Sequence, residues 1–476
     1  MKKLLTLSLL ILLAAAGLQA KVTLPSVFAD HMVLQQQKDV AFWGTADAGR
    51  KVTIRPSWTK YKYVTETESD GSWFILIPTP AAGGPYSITF SDGREKTVLN
   101  DVLLGEVWYC SGQSNMEMTL KGYTGQPVEG ATDVILSAKP SLPLRICNVK
   151  RRVSVTEEKD CSCEWALNTP GTVSSTSAVA YFFGLKLQEV LGVPVGLVIS
   201  AKSGSPIEAW MNRETLSREF KGEFDYAHLD TGVLPSRKPH RTPCVLYNGQ
   251  VAGLVPFTFR GMIWYQGENN VGRAEQYVRL QQSFVRMMRY LFKCPDAPFY
   301  YVQIAPYIYA TEAPMASAYL REAQEAALSL IPRSGMVCTL DIAERDGTVH
   351  PCKKREVGNR LAYLALQDEY GYDSIEARSP AFVSAEFKDG AATVTLSHSE
   401  GGLAPLDREV GGFELAGEDR VFHGATARIQ RNSTILVSSP EVPEPVAVRY
   451  CFSNWCEGSV FNVFGIPAYP FRSDRW

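Results

Sequence analysis

Short runs of alternating apolar and polar residues occupy the chain from 21 to about 104. The runs over 40–44, 51–55, 61–67, 73–77 and 86–90 repeat with a period of two, separated by Asp47-Ala-Gly, Asp70-Gly-Ser, Ala82-Gly-Gly-Pro and Asp92-Gly. That period and punctuation predict half-buried strands joined by tight turns, hence an all-β module of sandwich type. Past 104 the pattern changes. Apolar runs over 105–110, 195–201, 261–265, 299–304 and 336–340 predict strands. Between them, 177–191 carries Val179, Phe182, Phe183, Leu187 and Leu191 at helical spacing, and 275–292 and 353–366 also read as helices. Apolar strands alternating with helices imply a mostly parallel sheet covered on both faces. Strand-like runs return at 382–387, 392–396, 420–428, 434–438 and 447–452 and predict a second β module.

The start of the chain has a different grammar. Lys2 and Lys3 precede an apolar run from Leu4 to Leu13, then small residues and an alanine at position 20. The run is short for a spanning helix and ends in a site suited to signal peptidase, so export is expected, with the mature chain starting near Lys21 or, if cleavage follows Ala16, slightly earlier. The expected organisation is a signal peptide at 1–20, an N-terminal β module at 21–103, an α/β domain at 104–373 and a C-terminal β module at 374–476.

Composition adds exclusions. Hydrophobic content of 45% is enough for a full core, and a net charge of −2 gives no pull toward nucleic acid or anionic membranes. Ten cysteines in an exported chain permit disulfides, with Cys451 and Cys456 bracketing a small loop. Paired Cys-x-x-Cys or clustered histidines do not occur, so neither a metal nor another cofactor is expected.

Chemistry is concentrated where predicted strands end, which is where α/β sheets bind ligands. Val107 to Leu120 reads VWYCSGQSNMEMTL, an apolar strand, a small polar turn and the start of a helix. A hydroxyl at that corner can reach a substrate, and the helix-start amides can stabilise an oxyanion, so Ser114 is the candidate nucleophile. An N-cap serine is the structural alternative. Three further motifs follow: Gly204 in AKSGSPIEAWM, Gln266 opening QGENN, and His350 in DGTVHP. Taken singly, these are a turn glycine, a surface amide and a capping histidine. His31, His228, His240, His398 and His423 lack such context and receive no role.

Together these motifs resemble the SGNH hydrolase superfamily and, more closely, its sialate O-acetylesterase family. FADHMVLQ from Phe28, GEVWYCSGQSNM from Gly105, LYNG from Leu246, WYQGE from Trp264, VQIAP from Val302 and VGNRLA from Val357 are similar to that family as well, so the likeness spans the mature chain. The resemblance implies an SGNH-type three-layer α/β domain, with mostly parallel sheet, between two β-sandwich-like modules. It implies Ser114 as nucleophile, His350 as general base and then acid, and an oxyanion hole from the Ser114 and Gly204 amides with a side-chain amide from Gln266, Asn269 or Asn270. Asn270 aligns with the family's asparagine.

The sequence departs from the family at one point. The aspartate usual three residues before the histidine is Gly347, and the position two before is Thr348. Asp346, Glu344, Asp341 and Glu268 are candidates for the third triad member, as is a Ser-His dyad with a backbone carbonyl holding the ring. The expected activity is removal of O-acetyl groups from carbohydrate, sialic acid foremost, with xylan or another polysaccharide as the alternative. An inactive carbohydrate-binding homologue is the alternative of another class. The expected partner is therefore an acetylated sugar.

Overall fold

A computed structural model describes residues 22–309, 313–344 and 347–476. The expected signal peptide and Asp346 lie outside the described residues.

One long strand, Lys96–Gly112 (β1), joins the N-terminal module to the α/β domain. Its first half pairs antiparallel with Gly83–Ser91, and Leu103 to Gly105 pair in parallel with Val33–Gln35. Its second half lies in the centre of a second set of strands. The boundary expected at 103/104 therefore falls inside a continuous strand, where the pairing partner changes. The remaining strands of the α/β domain are Leu144–Val149 (β2), Cys163–Ala166 (β3), Val195–Ala201 (β4), Gly261–Tyr265 (β5), Phe299–Val302 (β6) and Ser334–Val337 (β7). They run in the order β7-β6-β5-β1-β4-β2-β3, all parallel except the β2/β3 pair. β2 and β3 were not anticipated from sequence.

The central strands are apolar on both sides because both sides are covered. On β1, Val107 and Tyr109 belong to one core, and Trp108 and Cys110 to the other. Ala274–Leu291 and Ala316–Leu330 contribute Phe284 and Leu320 to the first core. Ala178–Leu191 and Lys354–Tyr370 contribute Phe183 and Leu361 to the second. Aromatic pairs lock each layer: Trp264 lies 4.6 Å from Phe284, and Trp108 meets Phe183 edge-on at 5.0 Å. Burying side chains of this size contributes about 1.5–3 kcal/mol each before the ordering entropy is subtracted.

The C-terminal residues form a seven-stranded antiparallel sheet from Phe382–Lys388 to Phe471–Arg472. It is anchored to the α/β domain by Tyr469 Oη donating to Met336 O at 2.6 Å and by Ser317 Oγ donating to Asn454 Oδ1 at 2.9 Å. All ten cysteines are free thiols, Cys451 and Cys456 included, so the disulfides that composition permitted are not formed. No described helix is long and apolar enough to cross a membrane.

Candidate active site

The site lies at the carboxyl ends of β1, β4 and β5. β1 ends at Gly112, Gln113 turns the chain, and Ser114–Glu117 forms one turn of helix (α1). Gly112 is required here. A Cβ on it would sit 2.1 Å from Tyr265 O, so only glycine lets β1 and β5 approach this closely before the chain turns. Gln113 continues the join: its N–H donates to Tyr265 O at 2.9 Å, and its side-chain oxygen accepts from the amides of Gly267 and Asn269 at 3.3 Å. Ser114 is thereby fixed at the corner, and as the first residue of its helix it has no intrahelical acceptor for its N–H.

His350 lies in a loop before a long helix. Among the described residues, its imidazole makes one hydrogen bond, Nδ1 to Gln126 Oε1 at 2.8 Å. A carboxamide oxygen only accepts, so Nδ1 carries the proton and the Nε2 lone pair is left free. Thr348 Oγ1 accepts from the His350 amide at 3.0 Å. Burial, with a smaller contribution from nearby Lys354, pushes the imidazole down to about 4, which keeps it neutral at ordinary pH.

Gln126 was not anticipated. It sits on a tight turn in which Tyr123 and Gln126 exchange backbone hydrogen bonds at 3.0 and 2.9 Å across Thr124-Gly125. The same turn reaches the other side of the site: Tyr123 Oη donates to Ser114 O at 2.9 Å, and its ring meets the His350 ring edge-on at 5.2 Å. Among the described residues, none of the acidic candidates for this role meets the ring. Asp341 forms a bidentate pair with Arg360 at 2.8 and 2.6 Å, and Glu268 accepts from Asn115 Nδ2 at 2.5 Å. Among the described residues, the Glu344 carboxylate receives a long contact from Cys352 Sγ.

Ser114 and His350 make no hydrogen bond to each other among the described residues. They are tied instead through their neighbours, by Tyr123 as above and by Asn115 Nδ2 donating to Val349 O at 3.0 Å.

Gly204 lies in the loop after β4, with φ +70°, and its N–H makes no hydrogen bond among the described residues. The loop is held by Glu117, whose Oε2 accepts from the Ser203 amide, and by Ser205 Oγ donating to Lys202 O at 2.7 Å. Of the side-chain amides, Gln266 spends both N–H groups, on Ser205 O at 3.2 Å and Asn270 Oδ1 at 2.7 Å. Its oxygen accepts from Tyr277 Oη. Gln266 is thus a fully satisfied buried brace, with no N–H left for a substrate. Asn270 gives one N–H to Glu208 Oε2 at 3.0 Å and keeps one, while its oxygen accepts from Gln266 and from the Ile207 amide.

His240, to which sequence assigned nothing, adjoins this loop. A Cβ on Gly204 would lie 3.3 Å from His240 Nε2 and 3.6 Å from Arg241 Nη2. Lys202, Arg241 and Lys238 surround that imidazole, which burial and these cations hold below its usual range. Arg241 makes no ion pair among the described residues, and with Arg237 and Lys238 it lines an open cleft that continues past Glu208 and Arg273.

Comparisons with known proteins agree on what this arrangement belongs to. A family model described as "Carbohydrate esterase, sialic acid-specific acetylesterase" matches residues 104–367. The sialate O-acetylesterase of Rattus norvegicus is 27% identical over 94% of this chain and 93% of its own length, and that of Homo sapiens is 26% identical over 94% and 91%. Among solved structures, a carbohydrate acetylesterase from Xanthomonas citri superposes with a TM-score of 0.85 at 31% identity, covering 96% of this chain and all of that one. The chain belongs to the sialic acid-specific acetylesterase family of carbohydrate esterases and is a carbohydrate O-acetylesterase.

Proposed function

We propose that the chain cleaves O-acetyl esters of sialic acids through an acetyl-enzyme on Ser114. The observation that carries this reading is the His350–Gln126 bond, which fixes the tautomer a general base needs. Ser114 Oγ attacks the acetyl carbonyl carbon while its proton passes to His350 Nε2. The carbonyl becomes a tetrahedral oxyanion facing the amides of Ser114 and Gly204 and the remaining N–H of Asn270. Collapse breaks the ester bond, Nε2–H protonates the departing sugar oxygen, and acetyl stays on Ser114. Water then attacks, Nε2 takes its proton, acetate leaves, and the proton returns to Oγ.

Gln126 stands where a triad usually has a carboxylate. It orients the ring without adding charge, as an amide does in Cys-His-Asn proteases. This supports an active enzyme over an inactive binding homologue, since the loss of Asp at 347 is matched by another acceptor at Nδ1. The unpaired Arg241 beside Gly204, with Lys202 acting on the same spot, favours an anionic sugar over neutral xylan. Export belongs to the same proposal and is supported by Lys2, Lys3 and the apolar run after them.

The test compares the purified protein with Ser114→Ala on p-nitrophenyl acetate, where equal rates would remove the serine mechanism. Acetate release from O-acetylated sialic acid and from acetylated xylan is then measured side by side. Preference for xylan would overturn the sialate assignment, and Arg241→Ala should weaken KM for the sialate alone.

A further inference from the structure

Directly behind the nucleophile lies a buried ionic group that the steps above do not use. Lys354 is fully buried and is the first residue of the helix Lys354–Tyr370. A cation at a helix N-terminus opposes the helix dipole, and burying it is costly when, as among the described residues here, no carboxylate lies within ion-pair distance. Two unfavourable placements at one position call for a compensating role. The ammonium donates to Asn115 Oδ1 and sits 5.6 Å from the centre of the Tyr265 ring. Asn115 in turn spends both N–H groups, on Glu268 Oε1 at 2.5 Å and Val349 O at 3.0 Å. Because Lys354 can only donate, the amide has one orientation, with its oxygen toward Lys354 and its nitrogen toward the two acceptors. Asn115 follows Ser114 in sequence, and Val349 precedes His350.

Resting on the reading of Ser114 and His350 as nucleophile and base, we propose that Lys354 and Glu268 are positioning residues. They lock the Asn115 amide into a strut that holds the turn carrying Ser114 at a fixed distance from the loop carrying His350. Glu268 Oε2 is buried and unpartnered among the described residues, so the carboxylate stays in place through Asn115 and the field of Lys354. Burial pushes Glu268 up and pulls Lys354 down to about 7. Among the described residues, the groups acting on Lys354 are Glu268, Cys352 and Tyr265, and Lys354 in turn acts on His350. Its charge also acts on the imidazole and favours the neutral base.

Lys354→Met separates this role from a packing role, because an apolar side chain of similar length removes the ammonium while filling its space. The expected result is a fall in kcat of about 100-fold with KM within about twofold, since a displacement near 1 Å between reacting groups has that effect. The acid limb of kcat/KM should also move to higher pH, because the cation that disfavours His350 protonation is gone. Combined with Asn115→Ala, the double variant should be no slower than Asn115→Ala alone, as both act through one strut. If Lys354→Met does not fold, Lys354→Met/Glu268→Met removes both buried charges together, so that neither is left uncompensated, and it carries the same kcat expectation. Wild-type kcat in a folded variant, an unmoved acid limb, or fully additive losses with Asn115→Ala would overturn the proposal. Ser114→Ala is assayed alongside: if it keeps full activity, the underlying reading falls, whereas an inactive Ser114→Ala beside an unaffected Lys354→Met refutes the strut alone.

Discussion

Replacing Gln126 by glutamate tests how the base is held. The carboxamide accepts from His350 Nδ1 at 2.8 Å while burial keeps the imidazole near 4. Gln126→Glu keeps size and acceptor and adds one negative charge. Opposite charges about 4 Å apart attract by ~4 kcal/mol at an effective dielectric of about 20, and by ~1 kcal/mol in water. His350 and Gln126 are both partly exposed, so ~1.5–3 kcal/mol is the fitting range. At ~1.4 kcal/mol for each tenfold, the imidazole pKa rises by ~1–2. The acid limb of kcat/KM, which reports the free enzyme, should move from near 4 to ~5–6, and kcat on the plateau should hold or rise because the carboxylate also stabilises the imidazolium formed in the transition state. Gln126→Ala removes the acceptor, and the loss of one neutral hydrogen bond, ~1 kcal/mol, sets a floor of about fivefold on the fall in kcat. Initial rates between pH 3.5 and 8 measure both. An acid limb unmoved in Gln126→Glu would refute the assignment of Gln126 as the partner of His350.

Other consequences can be measured with the same material. Asn270→Ala should lower kcat by ~10²–10³ with little change in KM, whereas Asn269→Ala should stay within a few-fold; the reverse order in steady-state kinetics would exchange their roles. Gly112→Ala places a methyl 2.1 Å from Tyr265 O and should destabilise the fold by about 2–3 kcal/mol in urea unfolding; a difference under about 0.5 kcal/mol would show that β1 and β5 can part. Lys354 lies near 7 folded against 10.5 ordinarily, so between those values the unfolded chain binds more protons and this group's contribution to stability rises with pH. The stability of the wild type relative to Lys354→Met should therefore increase between pH 7 and 9, and a constant difference would show that the lysine titrates normally.

Much of the fold was legible because the central strands are apolar without interruption. Val195–Ala201 and Gly261–Tyr265 were expected with their observed bounds, since buried parallel strands need no polar face. Leu144–Val149 was hidden by Arg145 and Asn148. The arginine is buried because Asp101 accepts from it at 3.0 Å, a partner that only the fold supplies. Glu409–Ala416 was hidden by Gly411-Gly412, where the pairing slips register between Val410 and Phe413. At the site, Ser114 and Gly204 could be proposed from sequence because each sits in a motif just after a strand, and His350 because its motif precedes a long helix. Gln126 could not, because nothing but a Thr-Gly turn marks it and it meets His350 across more than two hundred residues. Gln266 was misplaced for a related reason: an amide at a strand end looks free until its partners, Ser205 and Asn270, are folded against it. The strut through Asn115 likewise draws on three separate segments.

The central claim is that acetyl passes through Ser114. Mixing the enzyme with an excess of O-acetylated sialic acid, quenching in acid within one turnover and mapping peptides by mass spectrometry tests it directly. The account predicts one acetyl group on Ser114, absent in Ser114→Ala and accumulating in a His350→Ala variant given an activated ester. Turnover at the wild-type rate with no acetyl on that peptide, or with the label on another residue, would contradict it.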